Sequence, residues 1–247
     1  METINLIMSN KSSNIKLSIY PPLQLNPEKR HEMALIRLET YNSIPNIDES
    51  NNVIRYDLDS DSNNAMIPTE DNESCHDVII PTGAYELTQI NDVIQNQVPP
   101  RLFELMPNKN TLKCIIRIHD PKVRIHFDHE GSMKDLLGFE TGVIEGVGNH
   151  EGSSIVNILK VNSILVNCDV ITGSYVNSSQ EPVLYSFFPN VPPGFKVVET
   201  PGTPIYLPIS HTRIDSLRLW LTDQDKNPIN LRGETLTVSL AIRSYNK

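Results

Sequence analysis

Apolar residues recur at every second position along most of this chain, and that period constrains the fold more than any other feature. Ile15, Leu17 and Ile19 alternate with Lys16, Ser18 and Tyr20. Leu112, Cys114, Ile116 and Ile118 form one face of the 111–119 segment, with Lys113, Arg117 and His119 on the other. Val123, Ile125 and Phe127 follow the same rule, as do Ile164, Val166, Cys168 and Val170. So do Leu217, Leu219 and Leu221, and Leu236, Val238, Leu240 and Ile242. Alternation of this kind marks β-strands with one buried face. Further strands are expected over 32–41, 53–57, 77–80, 183–188, 195–199 and 204–208. Pro and Asn punctuation separates them, at Pro21-Pro22, His119-Asp120-Pro121, Pro192-Pro193-Gly194 and Asp225-Lys226-Asn227-Pro228.

Two short segments switch to helical spacing. Leu87, Ile90, Val93, Ile94 and Val98 share a helix face that Pro99-Pro100 ends. Ser132 to Leu137 is the second, with Ser132 as N-cap and Gly138 as terminator. The expected fold is therefore all-β, a single jelly-roll β-sandwich with two short helices in the loops. A chain of 247 residues buries about 70% of its unfolded surface. That suits one large β domain, 1–247, and no linker is long enough to separate a pair of domains.

The formal charge of −9 is local. Residues 48–77 hold nine acids against one cation, Arg55, a net of −8, while the rest holds 21 acids and 20 bases. The expectation is one acidic loop insertion near 48–77 on a neutral body. No Lys/Arg run reaches four residues, so direct sequence-specific nucleic-acid binding is not expected. No apolar run reaches the roughly 18 residues of a membrane span. The opening METINLIMSN lacks the basic and apolar regions of a secretory signal. Three widely spaced cysteines form no paired framework and suit a reducing intracellular compartment, cytoplasm or nucleus.

Motifs for chemistry fail one by one. In Gly146-Val-Gly-Asn-His-Glu-Gly152 the third glycine is one place late for a phosphate loop. Asp57, Asp59 and Asp61 imitate the start of a calcium loop, but its sixth and twelfth positions are Ser62 and Pro68 instead of Gly and Glu. His126-Phe127-Asp128 with a distal His150 or His211 has the composition of a non-haem iron facial triad. Yet His126 and Asp128 alternate with Val123, Ile125 and Phe127 and so point away from the core. Cys114 and Cys168 fall on apolar faces, where a thiol is an inert hydrophobe, and Cys75 beside His76 is not a dyad. The pattern assigns no catalytic residue, no metal and no cofactor, and the chain is not expected to be an enzyme.

Aromatic groups stand where water is expected. Trp220 lies opposite the Leu217, Leu219 and Leu221 face, beside Ile214 and Arg218. Either a segment of the same subunit covers it, or it anchors a subunit interface, for which Trp and Arg are suited. Residues 185–208 carry Tyr185, Phe187, Phe188, Phe195 and Tyr206 among six prolines, including Pro192 and Pro193. Prolines stiffen such a segment and lower the entropy lost on assembly. The candidate interface residues are Trp220, Ile214, Arg218, Phe195, Pro192, Pro193 and Tyr206.

A series of strings across 40–240 resembles the penton-type minor capsid proteins of Polinton (Maverick) elements and adintovirus-like viruses. They are Tyr41-Asn-Ser-Ile-Pro-Asn-Ile-Asp-Glu-Ser-Asn-Asn52, Ile80-Pro-Thr-Gly-Ala-Tyr-Glu-Leu87, Leu136-Leu-Gly-Phe139, Val161-Asn-Ser-Ile164 and Gly173-Ser-Tyr175. Pro189-Asn-Val-Pro-Pro-Gly-Phe195, Ile205-Tyr-Leu-Pro208 and Leu231-Arg-Gly-Glu234 complete the series. The resemblance implies a single jelly roll that forms homopentamers at icosahedral capsid vertices in the virion. Its partners there would be copies of itself and a trimeric double-jelly-roll major capsid protein. It brings no catalytic residues, and the acidic insertion is a point of departure from it. Two other readings stay open: a lectin-like or receptor-binding jelly-roll module that uses the acidic loop for calcium, and a non-haem iron oxygenase of double-stranded β-helix fold.

Overall fold

The computed structural model describes residues 2–59 and 75–246, so Asp61, Ser62 and Pro68 lie outside the described residues, as do Glu70, Asp71 and Glu73. Residues 2–44 supply β1 (Glu2–Asn10), β2 (Asn14–Gln24) and β3 (Lys29–Tyr41). The stretch from 45 to 160 supplies β4 (Val53–Leu58), β5 (His76–Ile79), α1 (Leu87–Gln95), β6 (Phe103–Asn108), β7 (Lys113–Ile118) and β8 (Val123–His126). It ends with α2 (Lys134–Leu137), β9 (Val143–Glu145) and β10 (Gly148–Glu151). Beyond it come β11 (Ile164–Cys168), β12 (Ser174–Val176), β13 (Ser179–Glu181), β14 (Val183–Phe187) and β15 (Lys196–Glu199). The last strands are β16 (Leu207–Pro208), β17 (Arg213–Thr222) and β18 (Leu236–Asn246). The chain is all-β with a jelly-roll fold, and the described residues include two short helices.

Where the sequence suggests one domain with long loops, the chain groups into two compact units. The first joins Met1–Ile44 to Val161–Lys247, and the second is Pro45–Lys160. Alternation reveals strands but not which core each strand feeds.

The first unit is a sandwich of two antiparallel sheets, ordered β1-β18-β3-β15 (with β16 also on β3) and β14-β11-β17-β2. Leu217, Leu219 and Leu221 meet Leu236, Val238, Leu240 and Ile242 in one buried cluster with Met33, Leu35 and Leu38. Two bulges break the alternation. Ser239 pairs with Arg37 but Leu240 with Leu35, so Ile36 is passed over and Leu35 and Leu38 both face inward. Between β17 and β2, Ile214 pairs with Leu23 but Ser216 with Ser18, so β17 passes over Asp215 while β2 passes over four residues, and the buried face of β17 changes phase between Ile214 and Leu217.

The second unit has sheets ordered β10-β7-β6 and β5-β4-β8-β9 around its own core, which includes Ile54, Ile90, Ile94, Ile116, Ile125 and Phe127. Helix α1 buries Leu87, Ile90 and Ile94, and Gln89 Oε1 accepts from the Glu86 backbone N–H at its start. The N-cap of α2 is Met133 and not Ser132 as expected, although Ser132 Oγ still accepts from Lys134 N, and Gly138 closes that helix in the left-handed region at φ 79°. A Cβ at Gly138 would lie 2.3 Å from the Ser154 carbonyl oxygen, so only glycine fits. Two of the resembling strings also meet here. Asn46 Nδ2 donates to the Tyr85 carbonyl (2.7 Å), while its Oδ1 accepts from Tyr85 N (2.9 Å). Gly146 and Gly148 turn the corner from β9, paired to β8, into β10, paired to β7, and His150 Nε2 bonds the Gly146 carbonyl across it.

Candidate functional site: an assembly surface and a buried ion-pair network

The predicted interface residues separate into three groups. Arg218 and Trp220 point outward from β17, and the guanidinium lies 4.9 Å from the indole centroid. Arg218 is exposed, Trp220 half-buried, and Arg218 Nε donates to Asn14 Oδ1 on the neighbouring β2. The cation stacks on the ring and remains open to solvent, an arrangement suited to binding a partner. Opposite Trp220 on β11, Asn167 is buried and donates to the Trp220 carbonyl and to Thr222 Oγ1. This face is therefore open at Arg218 and closed at Thr222.

Ile214 is a correction. It is only 2% exposed and belongs to the core, because the β17 bulge shifts its phase from that of Trp220. Counting by twos from Trp220 puts it on the wrong side.

Pro192, Pro193 and Phe195 are exposed, Phe195 at 62%, in the loop that leads into β15. That loop is clamped by Asn42, a member of the Tyr41–Asn52 string whose clamping role no local pattern announces. Asn42 Nδ2 donates to the Val191 carbonyl (2.8 Å), and Asn42 N donates to the Phe195 carbonyl (2.9 Å). Gly194 N in turn donates to the Asn42 carbonyl (2.7 Å), with Gly194 at φ 84°. The Tyr41–Asn52 and Pro189–Phe195 strings thus touch, and their contact holds an exposed aromatic ring in place. Edge strand β15 adds exposed Val198, in register with Glu39 of β3, whose carboxylate pairs with Arg37 and Lys196, while Lys196 is in register with exposed Tyr41. Tyr206 is half-buried beneath Arg243, whose carbon Cζ is 3.8 Å from the ring centroid while its nitrogens pair with Glu32. Of the other aromatics in 185–208, Phe187 joins the core, Tyr185 hydrogen-bonds Glu199, and Phe188 stays exposed.

The candidates for chemistry resolve differently. His126 Nε2 lies 3.0 Å from Asp57 Oδ2, and Arg124 forks onto the same carboxylate through Nε (2.8 Å) and Nη2 (3.0 Å). The Asp57 side chain is only 7% exposed. Burial pushes its carboxyl up, but the hydrogen bonds from Arg124 and His126 outweigh that and hold it below the ordinary value. The facial triad is not assembled: His150 bonds Gly146, and His211 bonds Ser210 and belongs to the other unit. The calcium reading loses its opening position, because Asp57 sits within β4, in register with Arg124 of β8, and not in a loop. Cys114 and Cys168 are buried, and burial pushes both thiols up to about 12, so neither is a nucleophile at neutral pH. Among the described residues no helix is long and apolar enough to cross a membrane.

Neither a protein-family model nor a curated protein sequence matches the chain. Among solved structures, that of the selenomethionine-labelled mavirus penton protein matches over 99% of this chain and 100% of that one, with a TM-score of 0.51 and 12% identity. At that identity the likeness shows a shared fold. The resemblance to penton-type proteins carried by the sequence strings therefore has a structural counterpart that spans both chains.

Proposed function

We propose that this chain is a structural capsid protein of penton type, non-enzymatic, five copies of which form the vertex of an icosahedral shell in the virion. The end-to-end likeness to the mavirus penton protein carries the reading, since it takes in both units instead of one common sandwich. The Polinton and adintovirus-like strings support the same family, and a double-jelly-roll major capsid protein is the expected neighbour. In this reading the two-sheet sandwich of the first unit is the jelly roll proper.

A five-fold ring is a closed heterologous assembly, so each subunit presents two different complementary patches. The Arg218–Trp220 face and the Pro192-Pro193-Phe195 loop beside β15 are the two proposed patches. Both offer an aromatic ring at the surface, with a cation over the ring at Trp220, a chemistry enriched at interface hot spots. Sedimentation velocity and native mass spectrometry test this. The expected species is five times the 27.9 kDa chain, about 140 kDa. Trp220→Ala and Phe195→Ala are expected to leave folded monomers and deplete that species. A wild-type chain that stays monomeric at every concentration overturns the pentamer, and an undiminished pentamer in both variants overturns the patches.

A further inference from the structure

We propose that the outward face of the β5-β4-β8 sheet holds a site for one divalent transition-metal ion, zinc above all, built from Cys75, His126 and Asp57. The inference is independent of the capsid reading. The three residues come from two neighbouring strands and from the chain that enters a third. Asp57 lies on β4 and His126 on β8, and Cys75 immediately precedes β5, one place beyond the Tyr56–His76 pair. One ligand atom of each lies within 4.8 Å of the others. Tetrahedral zinc with bonds of about 2.0–2.3 Å sets its ligand atoms roughly 3.2–3.8 Å apart. His126 and Asp57 already stand near that spacing, and the Cys75 thiol, exposed at the entry to β5, lies within 4.8 Å of both.

The donor set selects the metal. A thiolate and an imidazole with one carboxylate suit zinc, whereas calcium and magnesium require mostly oxygen ligands. Supporting groups are also in place. Arg124 fixes both oxygens of Asp57, and a carboxylate retains lone pairs for a further partner. Asp128 Oδ1 lies 3.9 Å from His126 Nδ1, on the side where a metal-bound histidine presents its remaining N–H. On binding, the thiol proton leaves to solvent. The imidazole carries its proton on Nδ1, which frees Nε2 for the ion. Three protein ligands leave the fourth position to water. The ion would fasten the chain entering β5 to both β4 and β8.

The test uses the full chain, stripped with a chelator and titrated with zinc and with cobalt(II). One equivalent of zinc is expected, and the cobalt form is expected to show a sulfur-to-metal charge-transfer band in the near ultraviolet. Cys75→Ser, a near-isosteric change at an exposed position, should abolish the band and weaken zinc binding roughly tenfold or more. His126→Ala should weaken zinc binding comparably. Zinc should also slow alkylation of Cys75 in the wild type. Absence of the cobalt band, or zinc binding of the same stoichiometry and strength in a folded Cys75→Ser variant, overturns the site.

Discussion

Two sheet faces, one in each unit, begin from the same sequence signal and end differently. On β17 the outward residues Arg218 and Trp220 remain at the surface, cation over ring. On β4 and β8 the outward residues Asp57, Arg124 and His126 close around a carboxylate that is almost fully covered. A cation on an indole keeps its water, so that face needs no partner within the chain. A covered carboxylate loses its water at a cost of several kcal/mol and must be paired. The second face also contains its own control. Arg55 forks onto Asp77 in the row beside Asp57 with almost the same geometry (2.6 and 2.9 Å), but those side chains are 36% and 40% exposed. Similar distances therefore conceal different energies.

The largest expected effect bearing on this contrast is at Asp57. Asp57→Ala leaves Arg124 and His126 without their shared acceptor and is expected to destabilise the chain by about 3 kcal/mol, read from urea unfolding. The same residue gives an acid dependence. Its folded pKa lies below the ordinary aspartate value of about 3.9, so its contribution is present above that value. That contribution falls away as the pH drops from about 4 through the lowered folded pKa. Asp57→Asn should flatten this region of the stability curve, and an unchanged acid limb would show that other carboxylates dominate it. Next in size is Asn42→Ala, which removes the side-chain clamp on the Phe195 loop. It should cost about 1 kcal/mol in stability and deplete the oligomer more than that loss implies. Arg55→Ala comes last, at no more than about 1 kcal/mol and smaller still in high salt. A cost equal to that of Asp57→Ala would erase the distinction between the two forks.

The same division between exposed and covered groups holds for the thiols. Native-state alkylation followed by mass spectrometry should label Cys75 in the metal-free protein and spare Cys114 and Cys168 until unfolding.

Much of the fold is legible because alternation is a local property of β-strands. Strands β2, β3, β7, β11, β17 and β18 fall where the apolar period places them, and α2 ends at its Gly138 stop, whereas α1 ends at Gln95, short of Val98 and the Pro99-Pro100 pair. The strands left unassigned have a physical reason. In β6, Pro107 argues against a central strand, and the structure makes β6 an edge of its sheet, where a missing N–H is tolerated. Strand β1 shows Ile4, Leu6 and Met8 in alternation, so its signal was available. Strands β9, β10, β12 and β13 have only three or four residues, too few to establish a period. The candidate surface was half legible. Arg218 and Phe195 are exposed as their positions suggest, whereas Ile214 is buried because the register shift between β17 and β2 breaks the alternation that counting by twos assumes.

By itself the sequence determined an all-β chain, the absence of a local catalytic motif, and the strings that resemble penton-type proteins. These rest on neighbours along the chain, which sequence reports directly. Tertiary structure alone decided that the strands serve two cores, that Asn42 clamps a loop some 150 residues away, and that Asp57, Cys75 and His126 share one face. Each of those depends on strand order and coverage, and pairing between distant segments leaves no periodic trace in any one of them.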